Sequence, residues 1–346
     1  MKVKVAIAGV GNCASVFVQG LKFYSKGRPA GLWHPSVGGL KPADIEVTAA
    51  FDIDARKVGL ELSEAVFAQP NVAKEYVGLD RTGVAVSPGI SKEDVAPHLA
   101  GSKLVTSGRS AVSRILKKAD ADLLLNVVSS GSEKSSEEYA LAALDAGCSF
   151  INCTPALLMR HPRLVSAFGK EKLALIGDDL MSQFGGTLFH RGLLSLLVSR
   201  GVKISKSYQL DVGGGSETFN TIDEGIKMAK RKLKTSSVAS EVPYQFETVA
   251  GTTDFVDYMG NDRTSYFWTE GKGFLDTAIT LDVYLRSADG PNAGNVLFDV
   301  IRSTYRAAKT GKLGTLNEIC AYGFKSPPKP MHFNDAYQRF SSVFVN

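Results

Sequence analysis

Short apolar runs recur along the first half of the chain, and each is followed by small or polar residues. The runs lie at residues 3–8, 47–51, 122–128, 149–153 and 173–176. Stretches with helical spacing of apolar residues separate them, at residues 16–23, 55–65, 110–118 and 137–146. Buried parallel strands are typically apolar throughout, and their alternation with helices favours a sheet covered on both faces. The pattern therefore predicts an α/β fold with a doubly wound parallel sheet.

The pattern changes after residue 203, where apolar and polar positions alternate. Alternation is clearest at residues 277–285 and recurs at 208–212 and 245–249. A strand with this pattern buries one side and exposes the other to water. We expect a second, α+β region with a largely antiparallel sheet, whose uncovered face packs against another subunit. A helix is expected to follow at residues 289–308.

Charge and composition argue against several classes of protein. The chain has 346 residues, with 40 Lys and Arg against 35 Asp and Glu, a net charge of +5. This small, dispersed excess fits an enzyme with anionic ligands better than a nucleic-acid-binding protein. No apolar run approaches the roughly 18–20 residues of a membrane span, and a strand begins close to the first residue, so we expect no membrane partner and a cytoplasmic location. The four cysteines show no CxxC and no Cys/His cluster, and we expect neither disulfides nor a metal site.

The first apolar run leads into glycines at a diagnostic spacing. Gly9, Gly11 and Ala14 form G-x-G-x-x-A between a predicted strand and a predicted helix. In a dinucleotide-binding turn the first glycine permits the bend, the second admits the pyrophosphate, and a small third residue lets the helix pack closely on the sheet. The N–H groups at the helix start then face the anion. We predict a nicotinamide or flavin site here; the alternative is a tight turn that binds nothing.

An aspartate at the end of the second strand bears on the type of dinucleotide. Asp52 holds the position at which an acidic residue accepts hydrogen bonds from the adenosine ribose. It lies farther from the glycines than the usual 20 or so residues, because residues 24–45 form a long excursion rich in Gly and Pro. Its charge would repel a 2′-phosphate, so it favours NAD over NADP. The alternative is an aspartate that only caps the helix at 55–65.

Polar residues also end the later strands of the predicted sheet. Ligands of such sheets bind at the carboxyl ends of the strands, so these residues are expected to crowd one edge together with Asp52. Two of them, Asp178 and Asp179, are adjacent, and either serve function or cap the next helix; we favour function. The full set is Ser129–Ser132, Asn152–Thr154, Asp178 and Asp179.

A basic segment, residues 227–234 (KMAKRKLK), is the second stretch that suggests chemistry. Lys230 and Lys234 are four residues apart and share one face of a helix. A charge run is usually a solvated helix face, and a nucleic-acid contact is disfavoured because no aromatic platform is interleaved. The third interpretation is a set of ammonium groups that clamps a phosphate and stabilises oxyanions.

Several motifs, in order and with their spacing, make the chain resemble the myo-inositol-1-phosphate synthases (inositol-3-phosphate synthases), in particular the short prokaryotic type. They are AGVGNCAS, AAFDIDARKVG, INCTP, GDDLMSQFGGT, LDVGGG, KTSSVAS, GPNAG and FKSPP. The resemblance implies an isomerase of inositol and phospholipid biosynthesis that recycles NAD. Such an enzyme converts glucose 6-phosphate to myo-inositol 1-phosphate (1D-myo-inositol 3-phosphate) by oxidation, enolisation, intramolecular aldol closure and reduction. It also implies a homotetramer, an NAD-binding Rossmann-type domain at residues 1–187 and 289–346, and a catalytic and oligomerisation domain at 188–288.

The same resemblance implies a role for individual residues. The catalytic set it implies is Lys230, Lys234, Lys325, Asp179 and Asp289, with Lys230 and Lys325 in proton transfer and Lys234 at the phosphate or the aldehyde oxygen. The residues that it places at NAD are Gly9, Gly11, Asn12, Cys13, Ala14, Asp52, Ser129, Ser130, Asn152, Thr154 and Asp178. The residues that it places at the sugar phosphate are Ser182, Gln183, Gly214, Glu217 and Thr264. Which of Asp178 and Asp179 faces the substrate stays open.

Three positions depart from the family pattern and put the substrate in doubt. Thr264 stands where the family has a further active-site lysine, and Arg263 or Lys272 are candidates for the missing charge. Glu217 stands where the family has an aspartate, so its side chain is longer by one methylene. Met181 replaces another lysine. A changed polar partner can shift specificity by orders of magnitude. The first alternative is therefore a related cyclase that acts on another hexose phosphate, such as fructose 6-phosphate. Further alternatives are an NAD-dependent sugar-phosphate dehydrogenase, which would accumulate NADH, and an inactive binding protein, which would need no set of proton-transfer lysines.

Overall fold

The computed structural model describes residues 2–25, 27, 30–93, 96–311 and 316–345, so the predicted excursion at 24–45 lies partly outside the described residues. Six parallel strands form the larger sheet, in the order β3-β2-β1-β4-β5-β6. They are β1 Val3–Ala8, β2 Ile45–Asp52, β3 Val86–Pro88, β4 Leu123–Asn126, β5 Ser149–Asn152 and β6 Leu175–Ile176. The predicted doubly wound sheet is confirmed, and its order reverses between β1 and β4, the point at which such sheets bind ligands.

Helices lie between the strands of this sheet and those of a second sheet described below, and continue after the last strand. They are α1 Asn12–Tyr24, α2 Leu62–Ala65, α3 Arg109–Lys118, α4 Glu133–Ala146, α5 Pro162–Lys170, α6 Gly186–Ser199, α7 Ser216–Phe219, α8 Glu224–Ala239, α9 Asp289–Lys309, α10 Asn317–Gly323 and α11 Phe333–Phe344. The helix predicted at 55–65 is wrong in extent, since α2 begins only at Leu62. The chain turns at Gly59, whose φ of +92° lies in the left-handed region and whose N–H bonds to the carbonyl of Val86. That conformation favours glycine and interrupts a helix.

The main core lies where the sheet meets α1 and α9. The ring of Phe17 on α1 lies 5.4 Å from that of Phe298 on α9, and both side chains are almost fully buried. Gly20 lets the two helices approach, because a Cβ there would lie 2.9 Å from the Phe298 ring. Burial of a large apolar side chain stabilises a fold by roughly 1.5–3 kcal/mol. This packing holds the N-terminus of α1 and that of α9 side by side.

Four longer strands form the second sheet, in the order β10-β9-β7-β8. They are β7 Lys203–Gly213, β8 Glu247–Phe255, β9 Asp262–Lys272 and β10 Ala278–Ala288. Only the β7–β8 pair is parallel among these strands, so the largely antiparallel sheet is confirmed. Helices α6 and α8 pack on one face of it. Successive side chains of β7 point to opposite faces, which buries Gln209 and Asp211 and leaves Leu210 exposed.

The outer face of the second sheet carries aromatic side chains. The rings of Tyr208 and Trp268 stack at 5.4 Å, and those of Tyr266 and Tyr284 at 4.8 Å. Tyr284 is 71% exposed. Apolar patches of this kind often mark contacts between proteins. In the part of the chain that the structure describes, no helix is both long enough and apolar enough to cross a membrane. The domain boundaries at 187/188 and 288/289 stay predictions.

Candidate active site

A cleft runs along the carboxyl ends of the parallel strands and continues to the start of β9 and the N-terminal end of α9. It brings together most of the predicted site residues, which come from distant parts of the sequence. Those that line it are Gly9, Gly11, Asn12, Cys13, Asp52, Ser129, Ser130, Thr154, Asp179, Ser182, Glu217, Lys230, Lys234, Asp289 and Lys325. We divide it into a glycine-loop half, formed by residues 9–13 and Asp52, and an ion-pair half, formed by the charged residues described below.

The glycine-loop half provides space and backbone donors. Gly9 has a φ of +93°, and a Cβ there would lie 2.8 Å from the Val127 carbonyl oxygen, so the turn requires glycine. A Cβ at Gly11 would meet no heavy atom within 4 Å, which leaves open space above the N-terminus of α1. Ala14 is fully buried between helix and sheet. A pyrophosphate fits this cradle, because the first N–H groups of α1 lie next to the open space at Gly11.

Asp52 lies at the border of the cleft with both oxygens engaged. It accepts hydrogen bonds from the N–H groups of Val10 at 2.8 Å, Ile53 at 2.7 Å and Asp54 at 2.9 Å. A carboxylate offers about four acceptor positions, so one remains for a ribose hydroxyl. Asp52 thus caps the turn after β2 and not the helix that the alternative interpretation expected, because α2 begins only at Leu62. It also lines the cleft at the predicted cofactor site.

The ion-pair half gathers four cations, and each lies against a carboxylate. Nζ of Lys230 is 2.8 Å from Glu217, and Nζ of Lys234 is 2.8 Å from Asp211. Nζ of Lys325 is 2.7 Å from Asp179, and Nη2 of Arg263 is 2.9 Å from Asp289. Strong pairing of this kind fixes side chains that are otherwise flexible. The half is therefore ordered by charge and presents several N–H donors to one space.

Helix α8 explains why two of these cations lie side by side. Its N-cap is Asp223, the residue before Glu224, whose carboxylate accepts the N–H of Ile226 at 2.9 Å and caps the first turn. The spacing of four residues then turns Lys230 and Lys234 to the same face. That face points inward, and Lys234 is only 5% exposed. The interpretation of these two lysines as part of a solvated helix face is wrong; the exposed part of the run is the opposite side.

The environment sets the protonation of the carboxylates in this half. Burial opposes ionisation of Asp211, but Lys234 and Arg263 hold its pKa well below the usual range. Burial also opposes ionisation of Glu217, yet Lys230 and the hydroxyl of Ser130 lower its pKa to about 2. Burial lowers the pKa of Lys234 even though Asp211 partly restores it. Lys234 is thus closer than an ordinary lysine to releasing a proton near neutral pH.

The two adjacent aspartates occupy different environments. Asp179 lines the cleft and contacts Lys325. Asp178 is completely buried, where its carboxylate accepts hydrogen bonds from Asn152 Nδ2 at 2.8 Å and from the N–H of Met159 at 2.9 Å. Burial raises the pKa of Asp178 to about 7. Asp179 is therefore the aspartate that can face a substrate, and Asp178 and Asn152 support the site from below.

Three residues assigned to the sugar phosphate lie outside the cleft lining. Gln183 is tied to α9, through its N–H to the carbonyl of Asn292 and through its side chain to Asn295. Gly214 packs against the backbone of Gly260, where a Cβ would lie 2.7 Å away. Thr264 lines a separate hollow on the outer side of the sheet. Their binding roles stay predictions that the fold does not favour.

Strand alternation decides which residue near Thr264 carries charge into the cleft. Neighbours along β9 point to opposite faces. Arg263 lines the cleft and also borders the hollow, whereas Thr264 lines the hollow and not the cleft. Arg263 is paired with Gly213 of β7, and a Cβ at Gly213 would be in ordinary van der Waals contact with Nε, at 3.7 Å. Lys272, the other candidate, is 61% exposed and lies 4.0 Å from Asp276.

Sequence reasoning missed several polar residues of the cleft. His98 lies 3.2 Å from Ser129 Oγ and 2.8 Å from Asn220 Oδ1, and Lys57 lies beneath the glycine loop. Asp211 lies within the LDVGGG motif, and nothing in that motif indicates that it pairs with Lys234. Its signal was a polar residue at every second position on the covered side of β7, at 207, 209 and 211. Among the described residues, His, Cys, Asp and Glu form no group of three or more that could hold a metal ion.

Comparisons with known proteins identify the family and the fold of the chain. The family described as myo-inositol-1-phosphate synthase matches residues 185–290. Inositol-3-phosphate synthase of Mycolicibacterium smegmatis is 33% identical over 342 residues, which cover 95% of this chain and 94% of that protein. The solved structure of Ari2 has a TM-score of 0.80 and 30% identity, with 99% of each chain covered. Inositol-3-phosphate synthase from Caenorhabditis elegans shares the fold, with a TM-score of 0.81 at 15% identity over 99% of this chain and 85% of that one.

Proposed function

The chain belongs to the myo-inositol-1-phosphate synthase family, and on that premise we propose that it is an NAD-dependent cyclase that converts glucose 6-phosphate to myo-inositol 1-phosphate (1D-myo-inositol 3-phosphate). One observation carries the proposal: Lys230, Lys234, Lys325 and Arg263 converge in a cleft that continues into a glycine loop. A hydride-transfer site alone needs no such set of cations. A cyclisation that develops negative charge on two oxygens, next to a phosphate, does.

NAD as the cofactor is supported by the glycine-loop half. Gly11 leaves space for a pyrophosphate, α1 supplies N–H donors, and Asp52 offers an acceptor to the ribose while its charge disfavours a 2′-phosphate. Bound there, NAD would supply a hydride acceptor for oxidation of a secondary hydroxyl and a hydride donor for the final reduction. Because the two transfers cancel, the cofactor would leave the reaction as NAD⁺.

The ion-pair half supplies the groups for the remaining steps. We propose that Lys230 and Lys325 take the hydroxyl proton and the proton of the C–H next to the new ketone, and stabilise the oxyanions that result. The enolate carbon then bonds to the C1 aldehyde carbon, whose oxygen takes a proton. Lys234 would bind the phosphate or that aldehyde oxygen. Asp179 and Asp289 orient Lys325 and Arg263 through the pairs described above.

We propose that Arg263 provides the charge that Thr264 lacks. It projects into the cleft from the neighbouring position of β9 and lines the same space as Lys230 and Lys234 of α8. A guanidinium binds phosphate or paired oxygens through two N–H groups in a fixed plane, unlike the single ammonium of lysine. The replacement of a lysine at position 264 by an arginine at position 263 supports the alternative substrate, a hexose phosphate such as fructose 6-phosphate. The oxygens of that sugar lie at other positions than those of glucose 6-phosphate, and a cation at a different place would bind them.

The test is conversion of labelled glucose 6-phosphate with catalytic NAD⁺, followed by phosphorus and carbon NMR. Inositol phosphate without accumulation of NADH is the expected result. Turnover of fructose 6-phosphate but not glucose 6-phosphate would establish the alternative cyclase. Stoichiometric NADH would indicate a dehydrogenase, and NAD⁺ binding without turnover of either sugar would indicate a binding protein.

We further propose that the active form is a homotetramer in the cytoplasm. Support for self-association comes from the outer face of the second sheet, where Tyr208, Trp268, Tyr266 and Tyr284 form an aromatic surface on the described chain. Light scattering gives the mass in solution. A monomer that converts substrate at full rate would contradict the assembly without affecting the proposed reaction.

A further inference from the structure

A buried lysine lies directly beneath the glycine loop. Lys57 is 4% exposed, although lysine is rarely buried without a close ionic partner. Its Nζ donates to the carbonyl oxygen of Val10 at 2.8 Å and to Oδ1 of Asn71 at 2.9 Å, and it lies 3.9 Å from Asp52. The closest contacts of this cation are therefore neutral acceptors rather than a carboxylate. Burial lowers the pKa of Lys57, against the opposing effect of Asp52 and Asp54.

The contacts of Lys57 fix one peptide unit of the loop. The carbonyl of Val10 also accepts Nδ2 of Asn71 at 3.0 Å, so two buried donors hold the same oxygen. The N–H of Val10 donates to Asp52 at 2.8 Å, which holds the preceding peptide unit from the other side. Both neighbours of Val10 are glycines, whose backbone would otherwise rotate freely. The order of this loop therefore depends on these side chains.

The direction of the next N–H follows from the geometry of the amide. The carbonyl of Val10 and the N–H of Gly11 belong to one planar trans peptide unit and point in opposite directions. Because Lys57 and Asn71 hold the oxygen on their side, the Gly11 N–H is turned away from them. Gly11 lines the cleft at the start of α1. The hydrogen bonds from Lys57 and Asn71 to the Val10 carbonyl thus set the orientation of the Gly11 N–H, a donor at the predicted pyrophosphate position.

We propose that Lys57, together with Asn71, is a positioning residue that sets the affinity of the glycine loop for the dinucleotide by holding the Val10–Gly11 peptide unit. This inference rests on the proposed function, in that the dinucleotide is NAD. With a dinucleotide bound, the buried ammonium would also place a positive charge near the predicted pyrophosphate position, where screening by water is weak. Neither residue is expected to touch the sugar phosphate, so the chemical steps should be left intact once NAD is bound.

The test is calorimetric titration of the full-length protein, freed of bound nucleotide, with NAD⁺. We compare wild type with Lys57→Met, Asn71→Ala and, as a matched control, Lys103→Met. Lys103 is an exposed lysine whose carbonyl accepts the Ala55 N–H next to the same turn. Loss of a buried hydrogen bond to a charged group predicts a Kd about tenfold to a hundredfold weaker in Lys57→Met. Asn71→Ala should weaken binding in the same direction, and Lys103→Met should leave it within about twofold.

Separate measurement of KM for NAD⁺ and of kcat distinguishes a positioning role from general damage to the fold. KM for NAD⁺ should rise with the Kd, while kcat at saturating NAD⁺ stays within about threefold. Wild-type affinity in Lys57→Met, or a loss of kcat without a change of Kd, would overturn the inference. Should Lys57→Met fail to fold, the uncharged change Asn71→Ala decides the question alone. Absence of NAD⁺ binding in the wild type would instead contradict the proposed function.

Discussion

The two halves of the cleft offer a ligand different kinds of contact. The glycine-loop half uses main-chain N–H groups and the absence of side chains at Gly9 and Gly11, with Asp52 as its acid at the edge of the cleft. The ion-pair half uses long charged side chains, and its pairs join residues 13 to 146 positions apart in sequence. The first half is thus specified by local backbone conformation, and the second by the tertiary fold. Substitutions that add a side chain should therefore impair binding at the glycine-loop half, and substitutions that remove a charge should impair the ion-pair half.

The largest effect is expected from loss of Lys325. In Lys325→Met the ammonium that lies between Asp179 and the cleft disappears, while the chain keeps similar bulk. Removal of a group that transfers protons or stabilises an oxyanion typically costs a factor of 10²–10⁴, and we expect kcat to fall about a thousandfold. NMR conversion assays measure the rate. NAD⁺ affinity should be unchanged, and a parallel loss of NAD⁺ binding would show that the two halves are not separable.

A smaller effect is expected at Arg263, with its neighbour Thr264 as the matched control. Arg263→Met removes a cation from the cleft and leaves Asp289 without its partner, which predicts a loss of about a hundredfold in kcat/KM for the sugar phosphate. Thr264→Val changes a side chain on the opposite face and should stay within about twofold. Steady-state kinetics on both variants gives the answer. A large loss in Thr264→Val with little in Arg263→Met would contradict the register argument for the missing charge.

Two glycine substitutions test the glycine-loop half of the cleft. In Gly11→Ala the methyl group meets open space in the ligand-free chain, so the melting temperature should hold while NAD⁺ affinity drops at least tenfold. In Gly9→Ala the methyl group meets the Val127 backbone at 2.8 Å in a left-handed conformation, and we expect destabilisation by about 2–4 kcal/mol. Thermal unfolding and NAD⁺ titration distinguish the two. Equal destabilisation in both would mean that Gly11 serves the fold rather than a ligand.

The same contrast explains what could be predicted from the sequence. Continuous apolar strands and the glycine spacing are local signals, and they predicted the parallel sheet, the loop and the position of Asp52. The three-residue strand β3 was not predicted, and the helix that contains α2 was predicted to begin too early. Both depend on the hydrogen bond between Gly59 and Val86, which joins residues far apart along the chain and leaves no local signal. Alternation alone predicted the second sheet but gave neither its strand order nor its ends.

The ion-pair half was predicted from resemblance more than from pattern. Lys230, Lys234 and Lys325 were identified, but their partners Asp211 and Glu217 were not assigned to them, since pairing depends on how α8 packs on β7. The choice between Arg263 and Thr264 required the register of β9, which no local signal fixes. Likewise, two adjacent aspartates look equivalent in sequence, and only burial distinguishes Asp178 from Asp179.

Asp178 gives the smallest predicted effect, and one that belongs to neither half. Its folded pKa of about 7 lies above the usual value of about 3.9 for an unfolded aspartate. The folded state therefore holds a proton that the unfolded state releases, and this contribution to stability, complete below about pH 4, is lost as the pH rises through 7. Between about pH 6 and pH 8 the wild type should lose about 1–2 kcal/mol more unfolding free energy than Asp178→Asn, which cannot titrate. Urea unfolding at both pH values measures the difference. Parallel losses in the two proteins would mean that Asp178 is already ionised in the fold, and that the donors Asn152 and Met159 outweigh its burial.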